Sequence, residues 1–170
     1  ALAAAIDNYR AAHAAHLAEA ERARELLAVN RYILFDLDPH LSHLDHALAL
    51  RAALAERSQS YLNRLGTLPG ADVDVRIQAA KGFQRLASIQ DYPGEASLGQ
   101  PQAALTSLDR ATALIGTLRG TEAGRLFAEI RMDAARIRMF GLGDLTGAKR
   151  ALADADLRLK RLGPGALPLQ

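Results

Sequence analysis

Between Phe83 and Ala111 the chain reads FQRLASIQDYPGEASLGQPQAALTSLDRA, two amphipathic segments of helical period joined by a loop holding Pro93, Gly94 and Gly99. The second segment carries small and large residues at the spacing two closely packed helices need. Apolar residues make up 49% of the 170-residue chain but aromatics only 5%, so the core must be built from Leu, Ala and Ile, which suits stacked helices better than a β-sandwich. The expectation is one all-α domain with a single core.

From Leu2 to Leu37 there is no Gly or Pro, and Leu17, Leu27, Ile33, Leu34 and Leu37 recur at roughly helical spacing, which predicts one long helix or two abutting ones. Pro39 is expected to end it, because the residue before a proline is pushed out of the α region. Ser42 with Asp45 forms a capping arrangement for a second helix reaching Leu65, which Gly66, Pro69 and Gly70 stop. A third helix is predicted over Val73 to Gln90. The fourth starts at Pro101 and ends near Gly120, the fifth runs from Thr121 to about Phe140, and the sixth from Leu145 to Leu162. Gly163, Pro164, Gly165 and Pro168 mark a tail.

The formal charge of +2 and nearly balanced titration give no sign of a polyanionic partner, so nucleic acid is not expected. Without cysteine the chain has no disulfide, thiol nucleophile or thiolate metal site. No apolar run approaches the roughly 20 residues that span a bilayer, and the start lacks the features of a signal peptide. Beginning at Ala1, the chain is read as a soluble piece of something longer.

The later helices repeat a pattern. Ala104, Leu108 and Ala111 stand at i, i+4 and i+7, as do Ala148, Leu152 and Ala155, each set five residues beyond a glycine, Gly99 or Gly143. This resembles the second helix of a tetratricopeptide repeat. Phe83, Leu86, Ala87 and Gln90, then Met132, Ala135, Arg136 and Met139, fall on the key positions of its first helix. Arg136 replaces a small residue, and the two sets lie 44 residues apart against the roughly 34 of the standard repeat. The resemblance implies antiparallel hairpins stacked as a divergent array of about six helices: residues 1–38 a linker or signalling helix, 42–66 a second helix, 72–162 two hairpins, and 163–170 a tail.

A narrower resemblance rests on VNRYILFDLDPHL, LRAALAERSQSYLNRL and RLASIQDYPGEASLGQPQAALTSLDRATAL. Together these look like the helical region following the kinase domain and membrane helix of bacterial eukaryote-like serine/threonine kinases, with Tyr92-Pro93 and Ala96-Ser97-Leu98-Gly99 at the conserved loop and Ser97 in place of its Asn. The resemblance implies a sensory or docking module outside the cytoplasmic membrane. It implies no kinase activity here, since the glycine-rich loop, His-Arg-Asp and Asp-Phe-Gly segments are missing. A cytoplasmic adaptor with no membrane partner is the alternative.

His40, His43 and His46, near Asp36, Asp38 and Asp45, offer imidazole and carboxylate to Zn²⁺ or Ni²⁺. Three-residue steps drift by roughly 300° over six residues, however, so they share no face, and a solvated helix start explains them better. His13, His16 and Glu19 read as an exposed or subunit-facing stripe. Gly141, Gly143 and Gly147 follow a helix rather than a strand, which disqualifies a nucleotide loop. Arg131, Arg136, Arg138, Lys149, Arg150, Arg158, Lys160 and Arg161 are interspersed with acids and read as a solvated face. The serines sit in no nucleophile frame, so neither catalysis nor a cofactor is expected.

In a stack of this kind the inner faces of successive first helices form a groove. The repeat register lines it with Lys81, Gln84, Ser88 and Asp91 from the third helix and Ile130, Asp133, Ile137 and Phe140 from the fifth, a mixture suited to an extended peptide or a small polar ligand. The Ala-rich first helix suits pairing with a second copy, although it sustains no heptad. The expected function is a non-catalytic sensor or interaction domain of a membrane-anchored signalling protein; a helical metal-binding protein is a third, weaker reading.

Overall fold

The structure, a computed structural model, describes residues 2–44, 46–66 and 72–163. The described residues are all-α, with no strand among them. Helix α1 spans Leu2–Arg31, continues through a π-helical stretch Tyr32–Leu37, and passes into the short α2, Asp38–Leu41. Pro39 therefore does not end the run where expected. In the π stretch the Asp38 amide donates to Ile33 O, five residues back, and the extra residue per turn resets the register. Pro39 then falls in the first turn of α2, where its missing amide costs nothing.

Ser42 does not open the next helix. Its Oγ donates to Pro39 O at 2.7 Å, closing the helix behind it, and α3 spans Leu48–Gly66. The expected partner Asp45 lies outside the described residues, as do Pro69, Gly70 and the tail beyond Gly163. From there the prediction follows the structure closely: α4 is Val73–Gln90, α5 Pro101–Ile115, α6 Thr121–Arg136 with a second π stretch Ile137–Gly141, and α7 Leu145–Lys160. The Asp72 carboxylate accepts from Val75 N at 2.7 Å and the Asp144 carboxylate from Gly147 N at 2.8 Å, each satisfying a free amide of a helix start. No side chain caps α6: Gly120 precedes it at φ 106°, a conformation glycine adopts without strain.

Helices α4 and α5 form one antiparallel hairpin, α6 and α7 another, and α5 packs against α6; α1 and α3 cover the outer side of α4. Alanines set the closeness of both hairpins: Ala104, Ala111, Ala148 and Ala155 are all buried. Leu152 departs from its expected role, standing 50% exposed on the outer face of α7. A single core runs from Ala23 to Ala151, with Phe83, Leu86, Leu108, Ile115, Ile130 and Ile137 at its centre. Gly82 allows α3 to approach α4, since a Cβ there would stand 2.8 Å from Leu62 Cδ2.

Polar groups inside are paired across helices. Ser107 Oγ donates to Gln90 Oε1 at 2.7 Å, and the last carbonyls of α5 take arginines from two sides, Arg76 Nε to Leu114 O at 2.8 Å and Arg158 Nη1 to Gly116 O at 3.2 Å. Residues 2–19 of α1 are exposed throughout, so the helix extends beyond the body by roughly 27 Å at 1.5 Å per residue. No helix among the described residues is long and apolar enough to cross a membrane.

Candidate functional site

The exposed side of α4 forms the floor of a trough with two open cavities. One, of about 480 Å³, lies between α4 and α6 and is lined by Lys81, Gln84, Ser88, Glu129 and Asp133, with Phe35 and Tyr92 at its edges. The other, of about 500 Å³, lies between the end of α1, α3 and α4; Leu27, Asn30, Leu34, Leu62 and Gln78 form its walls. Phe35 and Lys81 border both. The helix period builds this floor: Gln78, Lys81, Gln84, Arg85 and Ser88 recur at three and four residues on one side of α4, while Ile77, Ala80, Phe83 and Ala87 are buried on the other.

Four of the eight expected groove residues, Lys81, Gln84, Ser88 and Asp133, meet in the smaller cavity. Gln84 Nε2 donates to Asp133 Oδ2 at 2.8 Å, and Lys81 Nζ reaches Glu122 Oε1 at 2.8 Å, so both contacts cross from α4 to α6. The other four are elsewhere. Ile130 and Ile137 are 0% and 2% exposed in the core. Phe140 points outward, 66% exposed, and Asp91 Oδ2 is buried without a hydrogen-bond partner at the far end of α4, against the backbone of Gly141. The α6 face that meets the trough is Leu126, Glu129 and Asp133. The repeat register was thus displaced on this helix, and the apolarity of Ile130 and Ile137 was the signal that they belong inside.

Burial raises the Asp133 carboxyl above its ordinary value of 3.8, against the opposing pull of the Gln84 hydrogen bond and the Arg136 charge. Desolvation likewise raises Asp91. Asp144 is lowered, first by the amide of Gly147. Arg136 takes the place of a small residue without disrupting the pair: its guanidinium lies over the Tyr92 ring, 4.8 Å from the centroid, contacts the Tyr92 hydroxyl, and pairs with Asp133 at 3.3 Å.

Behind the trough a buried ion cluster fixes the frame. Arg51 Nε donates to Asp38 Oδ1 at 2.8 Å, both side chains being 6% exposed, and Arg51 Nη2 donates to Ala96 O at 3.1 Å. Arg85 approaches the other Asp38 oxygen at 3.6 Å while its Nε donates to Leu34 O at 2.9 Å. One carboxylate thereby joins the end of the first helical run, α3, α4 and the loop after α4. Nothing in the sequence marked Asp38 for this role beyond its place before Pro39.

The remaining candidates are dispersed. His40, His43 and His46 are exposed, and His40 Nδ1 contacts Asp36 O at 2.6 Å; no group of three metal-ligating side chains forms among the described residues. Much of the basic surface is tied to acids or carbonyls: Arg131 to Asp154 at 2.7 Å, Arg138 to Asp144 at 3.3 Å and Lys160 to Asp156 at 2.7 Å. The geometry defines an all-α array with an open, mixed-charge trough. Neither a family model, a curated protein nor a solved structure matches the chain.

Proposed function

We propose that this chain is a non-catalytic sensor or interaction domain, a divergent tetratricopeptide-like array that takes an extended peptide or small polar ligand along α4. The observation that carries the reading is the meeting of Lys81, Gln84 and Ser88 with Asp133 in one open cavity, 45 to 52 positions apart in the sequence. The mixture of charge, amide and apolar wall suits reversible recognition of a polar chain. The Ala104, Leu108 and Ala111 face, buried against α4, supports the tetratricopeptide-like pairing.

The test is selection of peptides from a random displayed library on the immobilised chain, followed by titration against wild type and the combined Lys81→Ala, Gln84→Ala, Asp133→Ala variant. A loss of about tenfold or more, roughly 1.4 kcal/mol, is expected; unchanged affinity would remove the trough from consideration.

The parent context we propose is a membrane-anchored bacterial signalling protein of the serine/threonine kinase kind, with this domain outside the cytoplasmic membrane. It is supported by the sequence resemblance around Tyr92-Pro93. Antibody to the chain should find it in the membrane fraction of source cells on a polypeptide that phosphorylates itself with ATP. Recovery on a soluble polypeptide without kinase activity would favour the adaptor reading.

A further inference from the structure

Resting on the trough reading above, we infer that the cavity between α1, α3 and α4 is an anchor pocket for one large apolar side chain of an extended peptide, whose basic residue a few positions away enters the acidic cavity beside α6. Two independent features distinguish the ends.

The first cavity includes Leu27, Leu34 and Leu62 in its walls and holds about 500 Å³, ample for a phenylalanine or leucine side chain, whose removal from water favours binding. Arg24, Arg31, Asp36, Asp74, Gln78 and Lys81 also line this cavity, and among its polar lining residues Asn30 alone is buried. Asn30 is 1% exposed and its Oδ1 has no hydrogen-bond partner, while its Nδ2 makes only a long contact, 3.5 Å, to Ser58 O. A buried acceptor left unpaired is costly, and a backbone N–H beside the anchoring side chain would satisfy it.

The second cavity carries an acidic excess. Glu95, Glu129 and Asp133 face Lys81 and Arg85 there, but both cations are engaged, Lys81 by Glu122 and Arg85 by Asp38 and the Leu34 carbonyl. Glu95 and Glu129 have no ion-pair partner among the described residues, so this end attracts a guanidinium or ammonium group. Gln78 in one cavity and Ser88 in the other are ten residues apart on α4, roughly 15 Å along the helix. An extended chain crosses that distance in about four or five residues.

The test uses fluorescein-labelled peptides with one Phe and one Arg about four Ala or Ser residues apart, made in both chain directions, with Phe→Ala and Arg→Glu controls. Anisotropy is measured on the whole chain and on two exposed-site variants. Ala28→Phe, on the wall of the first cavity, fills the pocket from the surface without removing core. Glu129→Lys reverses charge in the second. In one chain direction wild type is expected to prefer the Phe and Arg peptide over either control by about tenfold or more. Ala28→Phe should erase the preference for Phe and keep that for Arg; Glu129→Lys should do the reverse. Peptides that bind and weaken with the alanine combination at Lys81, Gln84 and Asp133, yet show no Phe preference or ignore Ala28→Phe, would overturn the anchor pocket and leave the trough standing. If neither these peptides nor any library peptide binds, the trough reading fails and the anchor pocket with it.

Discussion

Asp133 shows how one residue records both what the sequence disclosed and what it concealed. Its place on the groove face of the fifth predicted helix was legible from the repeat register, and its hydrogen bond from Gln84, 49 positions earlier, agrees with that placement. Its neighbours in the prediction, Ile130 and Ile137, were misplaced because the repeat register outweighed their own apolarity. Burial raises the Asp133 carboxyl above 3.8, which fixes a pH dependence. In the window between the unfolded and native values the folded state holds the extra proton, so this group's contribution to stability is most favourable below 3.8 and declines as pH rises through the native value. Asp133→Asn keeps an acceptor for Gln84 and cannot titrate. Urea unfolding should therefore show the variant gaining stability relative to wild type as pH rises from the acid side of that window to neutrality. In wild type the carboxyl carbon should titrate with a midpoint above 3.8; a midpoint at or below it would contradict the burial account.

At the level of elements, the limits of α4 through α7 were readable because breakers mark them locally: Pro101 in a first turn, Gly120 and Gly143 at positive φ; the caps Asp72 and Asp144 came only with the structure. The two π-helical stretches were not readable. Each is a one-residue change of hydrogen-bond register, and apart from the closing Gly141 the residues of YILFDL and IRMFG are ones an ordinary α-helix also accepts. The first of them decides how the elements are joined, because it turns Asp38 inward between Arg51 and Arg85. Removing that carboxylate strands a buried guanidinium, and Asp38→Ala should cost about 3–5 kcal/mol. Replacing both members, Asp38→Ala with Arg51→Met, should recover a substantial part of the loss, because the uncompensated charge goes too. Denaturant unfolding of the two variants checks this; equal losses would mean that Arg51 packing rather than charge pairing holds the joint.

Across the whole molecule, the all-α class followed from helical period and breaker placement, while the expected hairpins and the groove along α4 came from the repeat resemblance. The cavity between α1, α3 and α4 was not legible in this way, because its walls come from Leu27, Asn30, Leu62 and Gln78, segments far apart whose meeting depends on how α1 lies across α3 and α4. No local pattern encodes that crossing, and Asn30 read simply as one polar residue in a helix. Gly82 was equally silent, although its bare Cα sets the distance between α3 and α4 at the cavity wall.

The same α1 that supplies Leu27 and Asn30 to a cavity wall carries exposed residues from Leu2 onward. Mechanically it is a stiff arm clamped at one end. With a free length of roughly 27 Å, a tilt of about 10° at the clamp moves the tip by about 5 Å. A side chain wedging α1 away from α4 by a fraction of an ångström acts on the short arm, and the displacement appears magnified at the other.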